Sequence, residues 1–148
     1  MKLHNIPDEV QKITQFVARQ PIFDIDQNVF SYELLYRDSA NNAFPVGTSD
    51  VHATSRLFFN ALMLVGLDRL TAHHLAFINL SSETILDNFP KLLLPENSVI
   101  EIVERTGNIP AVAERVQELK KEGYVFALDD YDGDPKWEPL LAHVDYIK

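Results

Sequence analysis

The sequence has no cysteine. That excludes disulfides and thiolate metal sites, and it fits a reducing compartment. No apolar run approaches the roughly 20 residues needed to span a bilayer. The opening stretch, "MKLHNIPDEVQK", lacks the apolar centre of a secretory leader. A soluble cytoplasmic protein is therefore the expectation, with no membrane partner. Positive charge is also scarce. There are 13 basic residues against 22 acidic ones, for a formal net charge of −9. No run of Lys or Arg interrupts that balance. Such a chain repels polyphosphate backbones, so nucleic acid is not an expected partner. Internal repeats and low-complexity segments are absent as well.

What is present is globular. Of 148 residues, 46% are hydrophobic and 24% charged, enough apolar material for a core in one domain. "FVARQPIF" reads as a strand, "DIDQN" as a turn and "VFSYELLYR" as a second strand, together a hairpin. Pro21 suits an edge strand or a strand end. "DSANNAFPVGTSD" reads as a loop. A helix follows, capped by Thr48 or Ser49, with Val51, Leu57, Phe58, Ala61, Leu62 and Val65 at helical spacing and Gly66 at its end. "LAFINLS" is a strand, "SSETILDNF" a short helix closed by Pro90, and "SVIEIVE" a strand. "NIPAVAERVQELKKEG" is a helix with Asn108 as its cap, Pro110 in its first turn and Gly123 at C′. "YVFALDD" is a strand, "DPKWEPLLAHV" a helix opened by Asp-Pro, and "DYIK" one more strand. After the hairpin this is a βα alternation. It predicts a mostly parallel sheet with covering helices.

In parallel α/β architectures, functional groups gather at the carboxyl ends of strands. That rule selects Glu33, Asn79, Glu101, Glu104, Asp129 and Asp130. All offer oxygen, and all sit among apolar residues, where an uncompensated carboxylate is costly. Carboxylates with an amide carbonyl suit a hard divalent cation. In "VIEIVE", Glu101 faces away from Ile100 and Ile102. On the inward face of a barrel strand that marks a site, while on the solvent face it is ordinary. Each residue has such a plain alternative: a solvent-facing Glu, a strand-end Asn, or an Asp pair capping the next helix. The five histidines share no ligand spacing and read as surface or satisfied polar residues. Trp137, Leu140 and Leu141 read as core.

The motifs "YELLYR", "FINLS", "VIEIVE", "ALDDY" and "YIK", in this order, resemble the EAL domain, the bacterial cyclic-di-GMP phosphodiesterase fold. "VARQPIFD…YELLYR" and "FALDDYDGDPKWEPLLAHVDYIK" resemble the degenerate branch that precedes a helical HDOD domain in signalling proteins. The resemblance covers about residues 16–148, leaving 1–15 as an extension. It implies a partial TIM-type (β/α) barrel of about six strands, with an antiparallel first strand. It implies metal ligation, by Mg2+ or Mn2+, at Glu33, Asn79, Glu101, Asp129 and Asp130. It further implies a substrate-phosphate contact at Arg37 and a water-positioning, catalytic role at Lys148.

Three departures accompany the resemblance. The name-giving motif is Glu33-Leu34-Leu35 rather than Glu-Ala-Leu. The family continues the Asp pair with Phe-Gly-Thr-Gly, where this chain has "YDGDPKW". The strands after Lys148 are absent. The expected protein is then a non-catalytic signalling module that binds a partner protein or the nucleotide. The alternative is a piece of a metal-dependent cyclic-di-GMP phosphodiesterase, and a third reading takes the acids as structural remnants. An open partial barrel also predicts self-association, or docking of an HDOD-like domain.

Overall fold

The computed structural model describes residues 16–37 and 65–148. The extension 1–15, the loop after Arg37 and nearly all of the helix expected before Gly66 lie outside the described residues. Six strands form one sheet in sequence order. They are β1 (Phe16–Phe23), β2 (Val29–Arg37), β3 (Leu75–Leu80), β4 (Ser98–Ile102), β5 (Val125–Leu128) and β6 (Tyr146–Ile147). β1 and β2 pair antiparallel, and every later pair is parallel. This is the partial α/β barrel sheet that the motif order implies.

The hairpin is local chemistry. Asp24 Oδ1 accepts from the backbone N–H groups of Asp26 and Asn28 at 2.9 and 2.8 Å. Gln27 completes the turn with φ 63°. Pro21 has no N–H to donate, and β1 tolerates it because the strand pairs only with β2 among the described residues.

Alternation along the strands divides the sheet into two faces. Leu34, Ile78, Ile100, Ile102, Phe126 and Leu128 point outward and join the main core. Three helices cover that face: α2 (Ser82–Leu86), α3 (Ile109–Lys121) and α4 (Glu138–Leu141). α3 buries Val112, Ala113, Val116 and Leu119, one stripe at helical spacing. Each large apolar side chain removed from water here stabilises the fold by about 1.5–3 kcal/mol. The inward face carries Phe77, Val99 and Ala127, with Ile22, Leu75 and Val125 against them. β4 is buried on both faces, which is why it reads as a nearly unbroken apolar run. Its one charged residue, Glu101, is on the inward face.

Two local expectations need correction. Asn108 precedes α3, but its side chain caps nothing. A capping side chain needs an extended backbone to reach back to N2 or N3, and Asn108 is left-handed at φ 47°. Only its carbonyl is used, accepting from Val112 N–H at 3.1 Å. The second is α1 (Leu67–Thr71), a short helix just after Gly66, where the sequence pattern suggests only a stop. At the other end of α3, Gly123 does close the helix at φ 94°. Its N–H reaches the Lys120 carbonyl, and that of Tyr124 reaches Leu119.

Candidate functional site

Five inward-facing side chains meet where the parallel strands end. Glu33 lies in β2, Asn79 and Glu101 are the second-last residues of β3 and β4, and Asp129 and Lys148 directly follow β5 and β6. Asn79 and Glu101 are register partners. The last two are fixed by ladder bonds one step past their strands. Asp129 N–H donates to the Ile102 carbonyl and Lys148 N–H to the Leu128 carbonyl, each at 3.0 Å.

Lys148 ties the cluster together. Its ammonium donates to Glu101 Oε1 at 2.6 Å and Glu33 Oε2 at 2.9 Å, and Asp129 Oδ1 lies 3.3 Å away. Asn79 Nδ2 donates to the other Glu33 oxygen, Oε1, at 2.7 Å. Glu101 is wholly buried. Burial pushes its carboxyl up to about 7; the Lys148 hydrogen bond lowers it, while the nearby charges of Glu33 and Asp129 raise it further. Burial acts against the Lys148 ammonium too, but its bonds to Glu101 and Glu33 outweigh it. Lys148 therefore holds its proton well above the usual lysine range.

Two buried acceptors in this cluster have no partner, Asn79 Oδ1 and Glu101 Oε2. Unpaired acceptors in a buried site are costly. With Glu33 and Asp129 they offer only oxygen, the donor type a hard divalent cation prefers, although the acids found with oxygens within 4.8 Å of one another are Glu104, Asp129 and Asp130. The chemistry of the residues present fits such an ion.

Asp130 does not join this cluster. Its backbone turns left-handed at φ 49°, and its carboxylate groups instead with Glu104 and Asp129, with ligand oxygens within 4.8 Å of one another. Asp129 thus borders both groups. Glu104 stands out in sequence only as an oxygen at a strand end, and its nearness to Asp130 depends on how two separate loops turn. Arg37 belongs to β2, but its side chain is outside the described residues. Past Asp130 the chain is tied to itself. Asp132 Oδ1 accepts from Asp134 N–H and from the Trp137 indole N–H, both at 3.0 Å. Asp134 caps the following turn by accepting from Lys136 N–H at 2.9 Å. Trp137 is buried under this loop.

The features on hand define a class: an α/β barrel sheet with an acid-rich, lysine-bridged site at the carboxyl ends of its strands. No protein-family profile matches the sequence. An uncharacterised Bacillus subtilis protein, YuxH, is 38% identical over 138 residues, 90% of this chain and 34% of that protein. The cyclic di-GMP phosphodiesterase CdgJ of Vibrio cholerae is 37% identical over 142 residues, 96% of this chain and 33% of that protein. The chain thus spans about a third of the length of these curated relatives. The crystal structure of Bacillus subtilis YkuI, a protein with an EAL domain, in complex with substrate c-di-GMP and calcium, matches with a TM-score of 0.60 at 21% identity. The match covers 79% of this chain and 35% of that one. The described residues have the fold of an EAL-domain fragment. Among the described residues no helix is long and apolar enough to cross a membrane.

Proposed function

We propose that this chain is the cation-binding, cyclic-di-GMP-recognising part of an EAL-type signalling protein, and that it binds the nucleotide without turning it over. One observation carries the reading. Glu33, Asn79, Glu101 and Asp129 converge with Lys148 around two buried acceptor atoms that nothing satisfies. Mg2+ or Mn2+ suits that donor set. A bound divalent cation supplies charge to polarise a phosphoryl oxygen. The chain's own residues then do the rest. Asn79 orients Glu33, the sheet register aligns Glu101 with Asn79, and Lys148 offers a permanent positive charge beside the phosphodiester. Asp130 and Glu104 supply further oxygens at the rim of the site, and Arg37 is assigned to a substrate phosphate.

The absence of turnover is supported by the loop after Asp130. Its bonds from Asp132 to Asp134 and Trp137 pin it to the protein's own core, which removes the freedom a closing loop needs. The fused HDOD-like partner and self-association belong to the same reading. They are supported by the unpaired edge of β1 among the described residues and by exposed Phe23, Phe30 and Tyr146.

The alternative is an active phosphodiesterase. It is favoured by the intact donor set and by the activity in CdgJ's name. Incubation with cyclic-di-GMP and Mn2+ separates the two. Cation-dependent retention of intact cyclic nucleotide is expected, and formation of linear dinucleotide would establish the alternative. Failure to bind nucleotide at millimolar Mn2+ would overturn both. Light scattering across concentrations tests self-association, which a strictly monomeric protein would contradict.

A further inference from the structure

Each oxygen of Glu33 already accepts one hydrogen bond. Its Oε1 accepts from Asn79 Nδ2 at 2.7 Å and its Oε2 from Lys148 Nζ at 2.9 Å. Asn79 presents its N–H group, not its carbonyl, to that carboxylate. Lys148 in turn donates to Glu33 and Glu101, with an Asp129 oxygen 3.3 Å away as an ion-pair partner. These bonds leave Asn79 Oδ1 and Glu101 Oε2 without a partner. The ammonium therefore stands between the carboxylates, and satisfies the cluster only in part.

From this geometry we infer that Lys148 is the resident counter-cation of the site, and that a divalent ion can be ligated by Glu33 only after the ammonium releases it. The inference rests on the reading that the cluster takes a divalent cation, and concerns how its occupancy is controlled. The site has two exclusive arrangements. In one, Lys148 bridges Glu33 and Glu101 and the acids are held together without metal. In the other, the ammonium has withdrawn from Glu33, and Glu33, Glu101, Asp129 and the Asn79 carbonyl are available together. The Lys148 side chain is about seven-tenths buried, and its backbone N–H is bonded to β5. The exchange is thus a side-chain swing that leaves the sheet register unchanged. Repulsion between ammonium and divalent ion sets the threshold at which cation enters.

The test is Mn2+ binding by calorimetry to the wild type and to Lys148→Met, which keeps length and removes charge. Lys148→Met is expected to bind Mn2+ about thirtyfold tighter, the size of the repulsion between a divalent ion and an ammonium a few ångströms away even at the dielectric constant of water. A second readout needs no variant. The acylation rate of Lys148 in the wild type, followed by peptide mass spectrometry, is expected to rise severalfold with Mn2+ as the ammonium leaves its carboxylates. This readout decides the matter if Lys148→Met fails to fold. Equal or weaker binding by folded Lys148→Met, or an acylation rate indifferent to Mn2+, would overturn the exchange while leaving the cation site standing. No Mn2+ binding by either protein would overturn the cation site, and the exchange with it.

Discussion

Replacing Glu101 with Gln should make the protein more stable at alkaline pH and change little in acid. Glu101 is wholly buried among β-strands, and its carboxyl rises from 4.5 to about 7, chiefly through burial. At about 1.4 kcal/mol for each pKa unit, this is a penalty of about 3 kcal/mol on the ionised form. The sign follows from proton binding. Between pH 4.5 and 7 the folded chain holds a proton at Glu101 that the unfolded chain has lost. Stability from this group is therefore complete below pH 4.5, falls as pH rises, and is gone above about 7. Gln has the same shape and cannot ionise. Urea unfolding of wild type and Glu101→Gln at pH 5, 6, 7 and 8, in chelator, measures the difference between them. It should widen to about 3 kcal/mol at pH 8 in favour of the variant. Two parallel pH profiles would refute the reasoning, because the carboxylate would then be paid for in full by Lys148.

Three further outcomes follow from named contacts. Trp137→Ala should cost about 3–5 kcal/mol in urea unfolding, since the indole fills the core beneath the β5–α4 loop. Asp132 is held below the usual carboxylate range by the Asp134 backbone N–H, with help from Trp137. Its contribution is thus present above the ordinary Asp value and lost as pH falls through the lower folded one. Trp137 fluorescence should report an acid transition that Asp132→Asn abolishes. Gly123→Ala should cost about 1–2 kcal/mol of thermal or urea stability through its left-handed backbone alone, because the added Cβ meets only Pro95 Cβ, at 3.9 Å.

Much of the sheet is legible without coordinates. "FVARQPIF" and "VFSYELLYR" become strands over their full predicted lengths, because alternation and a strong Asp24 turn are both local signals. The inward position of Glu101 is legible for the same reason: its neighbours Ile100 and Ile102 must face the helices. The strand-end rule selects Asn79 and Asp129, which the structure places beside Glu101. What stays hidden is relational. The Lys148–Glu33 contact joins residues 115 apart in sequence, and no window of residues contains both. Asp130 looks equivalent to Asp129, yet a single left-handed residue directs it toward Glu104. Asn108 has the composition of a cap but a backbone that cannot act as one.

β6 has only two residues, Tyr146 and Ile147, paired with Ala127 and Leu128. The acid cluster clasps β2, near one edge of the described sheet, to β6 at the other. Glu33 sits beside the antiparallel edge and Lys148 on the opposite one. Lys148 is carried by β6 and Glu33 by β2, so a shift of either strand along the sheet changes how far the ammonium stands from the carboxylates.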